Sequence, residues 1–157
     1  MENGKLDAVD CKILEVLQRD GRISNVDLAT EIGLSAPQCF RRVKALEERG
    51  VIQGYRALVR PEALGLEVTA FVSLSIEARA FARLTELERL IRDLPEVLEL
   101  HRISGQSDYL AKVVARDLRS LGDLLTGRLM QIDGVCDVRS SIALNALKAS
   151  AALPIGP

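Results

Sequence analysis

Between positions 35 and 44 the chain sets Ser35, Pro37, Gln38, Arg41, Arg42 and Lys44. Guanidinium and ammonium groups bind phosphate oxygens, and a carboxamide or a guanidinium can present paired hydrogen bonds to the edge of a base. At a turn of about 100° per residue, Ala36, Cys39, Val43 and Leu46 fall on one side of a helix. Gln38, Arg41, Arg42, Ala45 and Arg49 fall on the other. The first side is expected to pack and the second to meet something acidic. Arg42 and Lys44 are expected to reach phosphates, while Ser35, Pro37, Gln38 and Arg41 lie near the end that would enter a groove. Adenine suits Gln38 and guanine suits Arg41. Net charge is only −1, yet residues 38–60 carry Arg41, Arg42, Lys44, Arg49, Arg56 and Arg60 against Glu47 and Glu48. That local excess is the footprint phosphates attract.

A second group lies at Gly105, Gln106, Ser107, Asp108 and Tyr109, with Ser140 and Ser141 further on. Glycine and aspartate are turn formers, so the group reads first as a hairpin turn between strands. The backbone N–H groups of such a turn can also hold a carboxylate. Asp108 can accept from an ammonium or simply cap the turn. His101 fits a structural role better than a ligand contact. Catalysis is not expected: there is one histidine, no nucleophile–base pair, no phosphate-cradling glycine loop and no paired carboxylates. Cys11, Cys39 and Cys136 have neither zinc nor disulfide spacing, so they read as small buried hydrophobes, and neither metal nor cofactor is expected.

The elements that must carry these groups are legible. Asp7 can cap a helix bearing Val9, Ile13, Leu14 and Leu17, which Gly21 stops. Ser24 with Asp27 opens a second helix with Leu28, Ala29 and Ile32 inward, ended by Gly33. Ser35 with Gln38 forms a capping box for a third, ended by Gly50. A helix, a short turn and a helix with a basic outer face is the helix-turn-helix layout. Beyond it, Leu66, Val68, Ala70, Val72, Leu74 and Ile76 alternate as in a half-buried strand. Phe81, Leu84, Leu87, Ile91 and Leu94 recur at helical spacing. A strand over 97–103, the turn at 105–108 and a strand over 109–115 follow. Leu118, Leu121, Leu125, Leu129 and Ile132 mark another helix, and a last strand runs from Val135 to Leu144.

The fold class is therefore α+β, a winged-type helix-turn-helix of three helices followed by a ferredoxin-like βαββαβ unit. Its expected parts are a DNA-binding domain over 1–50, an extended connector over 51–65, a ligand-binding and oligomerisation domain over 66–148, and a loose or partner-ordered tail over 149–157. No run approaches the ~18 apolar residues of a membrane span, and no secretory start is present, so the cytoplasm is the expected compartment. A single head touches few base edges, so at least a dimer is expected on double-stranded DNA.

The run from Leu6 to Tyr55, with Asp20-Gly21-Arg22, Ile32-Gly33-Leu34-Ser35, Arg42-Val43, Leu46-Glu47, Gly50-Val51-Ile52 and Gly54-Tyr55, resembles the leucine-responsive/AsnC family of transcriptional regulators. Ser104-Gly105, Asp108-Tyr109 and Gly134-Val135 through Ser140 to Lys148 are similar to its amino-acid-binding module, so the resemblance spans about residues 5 to 148. It implies strand pairing across a dimer, dimers assembled into a ring, often octameric, and an amino-acid effector at the 105–109 loop between dimers, with Ser140 and Ser141 as secondary contacts. Gln106 and Ser107 stand where the family often has an acidic and an aromatic residue, which gives the pocket a different shape and charge. A ring of such heads could also organise DNA without a ligand.

Overall fold

The computed structural model describes residues 6–148 and 152–155, and the chain divides into two compact units, 1–58 with 148–157 and 59–147. In the first, α1 (Ala8–Arg19), α2 (Asn25–Ile32) and α3 (Ala36–Glu48) follow the expected caps. The Asp7 carboxylate accepts from the backbone N–H groups of Val9 and Asp10, at 2.9 and 2.8 Å, and the Ser24 hydroxyl accepts from Asp27 N–H at 3.1 Å. Such caps satisfy donors that a helix start leaves unpaired. Ile13 and Val16 of α1, Leu28 and Ala29 of α2, and Cys39, Val43 and Leu46 of α3 close one core. Val51 and Ile52 then both return their N–H groups to the Leu46 carbonyl, at 2.9 and 3.2 Å, which ends α3 and seats these two residues against the core.

The stretch expected as a connector carries no helix or strand from 51 to 60 and then a 3-10 turn over Pro61–Leu64. Residues 149–151 and 156–157 of the expected tail lie outside the described residues. Leu153, which is described, exchanges hydrogen bonds with the Gln18 side chain, so this part of the tail has a partner within its own chain.

The second unit runs β1 (Val68–Ile76), a 3-10 turn (Ala78–Arg83), α4 (Leu84–Arg92), β2 (Val97–Arg102), β3 (Tyr109–Ala115), α5 (Leu118–Gly122), a π turn (Asp123–Arg128), a 3-10 turn (Leu129–Gln131) and β4 (Val135–Ile142). The four strands form one sheet in the order β2-β3-β1-β4, every pair antiparallel. This is the βαββαβ arrangement anticipated from the alternating and helical periods. Ala70, Val72 and Leu74 of β1 and Tyr109, Ala111 and Val113 of β3 point to one face, where Leu87, Ile91, Leu121, Leu124 and Leu129 cover them.

Three local expectations change. Phe81 is exposed and Ala80 takes the inward position, because the chain there winds as a 3-10 turn, at three residues per turn rather than 3.6. Leu118 is exposed as well, and Leu124 rather than Leu125 is fully buried. Of the three cysteines, Cys39 is buried, Cys11 half-buried and Cys136 exposed. Cys136 sits in the register shift between β1 and β4, where a bulged residue leaves the alternation, and its Sγ lies 3.3 Å from the Ser75 carbonyl oxygen.

Candidate nucleic-acid interface and effector site

The entry to α3 is built by its own capping residues. Gln38 Oε1 accepts from Ser35 N–H at 3.3 Å and from the Ser35 hydroxyl at 2.8 Å, and Pro37 stands in the first turn, where its missing N–H costs nothing. The cap uses only the oxygen of the carboxamide, so the Nε2 donors are not spent on it. Pro37, Gln38, Phe40, Arg41 and Lys44 are all exposed, opposite the buried Cys39, Val43 and Leu46. Arg41 has no ion pair among the described residues, and Lys44 makes only an exposed pair with Glu48 at 3.6 Å, a contact worth little against a phosphate. Arg56 and Arg60 are exposed as well.

Arg42 departs from its expected role. Its guanidinium lies 2.8 Å from Asp7 Oδ2 and 2.7 Å from Asp10 Oδ1, with its side chain 37% exposed, so it joins α3 to the start of α1. Position 42 follows Cys39 by three and precedes Leu46 by four, which places it on the border of the buried stripe. The signal for this lay in α1: Asp10 shares its face with Ile13, and a carboxylate on a packing face needs a cation. The two aspartates hold the Arg42 guanidinium pKa above its usual value, and Asp10 N–H with Arg42 holds the Asp7 carboxyl below its own.

Two measurements follow. Arg42→Ala leaves the Asp10 carboxylate with Arg49, at 4.0 Å, and a long contact from Asp7 N–H, at 3.5 Å. A stranded, mostly buried carboxylate then costs about 1–2 kcal/mol, at the low end of the range because Arg42 itself is half in water. The expected result is a lower Tm with little change in the salt dependence of DNA binding. A wild-type Tm would show that the pair is idle. The second measurement concerns pH. Because the Asp7 pKa is lower folded than unfolded, its stabilisation is complete above about pH 4 and is lost as pH falls through the folded value. Asp7→Asn keeps a capping oxygen and should flatten the acid limb of the Tm profile; an unchanged limb would assign acid sensitivity elsewhere.

In the second unit the 103–108 loop is fastened to β1. Asp108 N–H donates to the Leu74 carbonyl at 2.9 Å, and Ile76 N–H donates to the Asp108 carboxylate at 2.7 Å. Of the two roles open to Asp108, capping is the one the geometry displays. Gly105 and Gln106 are exposed and Ser107 half-buried. Tyr109, expected to face an effector, is instead turned under α4: its ring is buried and its hydroxyl donates to Glu88 at 2.6 Å. Strict alternation along β3 dictates this, since 109 shares a face with the buried 111 and 113. Arg102 also pairs with Glu88 and sits 6.0 Å from the Tyr109 ring centroid. Tyr109 and Arg102 hold the Glu88 carboxyl below its ordinary pKa.

Ser140 pairs with Val72 and Ser141 with Phe71, so the two point to opposite faces of the sheet. Ser140 stands two strands from Tyr109 and two residues along, an offset of about 12 Å at standard sheet spacings. The loop and these serines are therefore not brought together for one small ligand within one chain. His101 is exposed, with Nε2 3.4 Å from Glu99. Among the described residues no cluster of His, Cys, Asp or Glu is placed to hold a metal ion, and no helix is long and apolar enough to cross a membrane.

Comparison with known proteins gives two family matches. Residues 6–53 match the model described as winged helix-turn-helix DNA-binding, and residues 69–153 match the Lrp/AsnC ligand binding domain. The chain is 42% identical over 144 residues to the leucine-responsive regulatory protein of Rhizobium meliloti, covering 92% of each, and 38% identical over 150 residues to that of Escherichia coli K12, covering 96% of this chain and 92% of that one. Among solved structures, a transcriptional regulator from Neisseria meningitidis in complex with L-Met superposes with a TM-score of 0.91 at 36% identity, over 96% of this chain and 97% of that one. A feast or famine regulatory protein from M. tuberculosis complexed with L-methionine gives 0.89 at 33%, over 97% and 100%.

Proposed function

From its membership of the Lrp/AsnC family of transcriptional regulators, to which this chain belongs, we propose a sequence-specific DNA-binding protein that answers to an amino acid and acts as an even-numbered oligomer. The DNA-binding winged helix-turn-helix and the ligand-binding domain are family properties, and a transcriptional regulator of this kind is not an enzyme. The observation that carries the finer reading is α3 itself, packed on one face and open on the other, with Arg41, Gln38 and Pro37 near its amino end. In this reading Gln38 and Arg41 meet bases, while Ser35 and Lys44 meet phosphate, and Arg42 holds the helix to α1.

The amino-acid reading is supported by the two structural neighbours solved with L-methionine. Gly105, Gln106 and Ser107 would supply backbone donors for the ligand carboxylate, Asp108 would fix their loop, and Ser140 or Ser141 would reach the ligand from another copy. A second copy also suits the sheet face that α4 and α5 leave uncovered, where Phe71 is 43% exposed. An octamer is the assembly expected from the family, and double-stranded DNA its target.

The test is a thermal-shift screen of the twenty amino acids, with light scattering alongside. A ligand at a hundred times its Kd adds about 2.7 kcal/mol to the state it binds, and L-methionine is expected to raise the Tm. No shift with any amino acid would overturn the effector reading and favour a ligand-independent DNA organiser. A monomeric mass would overturn the oligomer.

A further inference from the structure

In the first unit α1 and the segment after α3 form a groove walled by Leu14, Leu17, Val51 and Ile52, with Gln18 at its rim; Leu153 and Ile155 form another part of the wall, and about 450 Å³ between them stays open. The Leu153–Ile155 side of it comes from the far end of the chain. Leu153 N–H donates to Gln18 Oε1 at 2.6 Å, and Gln18 Nε2 donates to the Leu153 carbonyl at 3.2 Å, across a separation of 135 residues. A carboxamide that gives to and takes from one residue's backbone reads an extended chain as a neighbouring strand would, with little regard for the side chain. The exposures agree: the Leu153 side chain is 74% exposed, whereas Ile155 is half-buried against the groove. Pro154 lies between them, fixing its own φ and pushing Leu153 towards extended backbone, so less conformational freedom is lost on docking.

We propose that this groove is a receptor for the chain's own Leu153–Ile155 segment, gripped at its backbone by Gln18 and anchored by Ile155. The DNA-binding unit is then completed by the far end of the sequence, and residues 59–147 form an insert whose two exits both lead into it. The segment shields the apolar lining in part, so its release exposes Leu14, Leu17, Val51 and Ile52 further. The inference stands apart from the DNA and effector readings, since neither contributes a residue to the groove.

Amide hydrogen exchange on the intact protein tests it first. The Leu153 amide is expected to exchange at least tenfold more slowly than a free peptide amide, and Gln18→Ala should abolish that protection while leaving β1 and β3 amides unchanged. An unprotected Leu153 amide in the wild type overturns the proposal. A fluorescent peptide of residues 148–157 added to a chain truncated after Lys148 is the second arm. Saturable binding is expected, at least fivefold weaker with Gln18→Ala or with Ile155→Asp in the peptide, and absent with the intact chain. Equal binding to intact and truncated chains, or none, overturns it.

Discussion

Replacing Arg41 by glutamate is expected to cost the protein about two to four orders of magnitude in affinity for a duplex bound by two heads. Each head loses a contact worth about 1–3 kcal/mol when a guanidinium meets a base edge, and the loss is counted once per head. In the proposed complex the reversed charge would also face the phosphates. The fold should not notice: Arg41 is exposed and makes no ion pair among the described residues. Arg42 is its foil. One residue away, it is expected to lower the Tm while leaving the salt slope of binding nearly intact, because its charge is already answered by Asp7 and Asp10. Fluorescence anisotropy at several salt concentrations checks both, using a duplex selected by the wild type from a randomised pool. Wild-type affinity for Arg41→Glu would remove α3 from the groove altogether.

Gly134→Ala should be the most damaging small substitution in the second unit. Gly134 has φ +102, and a Cβ placed there would stand 2.4 Å from the Ala80 Cβ and 3.4 Å from Leu87 Cδ1. Its carbonyl also accepts from Glu77 N–H at 2.8 Å, so the backbone cannot back away without losing a bond that ties β4 to the start of the first helical crossover. Backbone strain and overpacking each contribute about 1–3 kcal/mol, giving roughly 2–6 together. For a unit of this size that is a fall in Tm of about 10 °C or more. Gly65→Ala in the same unit is the control: φ is +70, but nothing lies within 4 Å of the added carbon. It should lose only the left-handed penalty, about 1–2 kcal/mol. Equal losses in the two variants would mean that the contact with Ala80 relaxes freely.

The sequence disclosed most where one local rule governs one element. Asp7, Ser24 and Ser35 announced the three helix starts, and the alternation from Val68 to Ile76 announced both the strand and its buried face. It disclosed less where two elements meet in space. The wheel of α3 alone turns Arg42 outward, whereas its partners are set by how α1 crosses that helix, a tertiary fact. Tyr109 adjoins the 103–108 loop in sequence, although the alternation of its own strand points it inward. Gln18 and Leu153 gave no signal at all, because a carboxamide on a helix and a leucine before a proline are unremarkable until they are adjacent. Ser140 and Ser141, as consecutive strand residues, could be known from the sequence to face opposite ways.

The wide turn over Asp123–Arg128 explains why the leucine stripe after Leu118 changes register. Hydrogen bonds that skip an extra residue make room for one more amino acid than the ordinary spiral needs. Leu124 and Leu129, five apart, can then both reach the sheet. The extra residue is absorbed inside the segment, so neither anchor has to rotate away from the sheet.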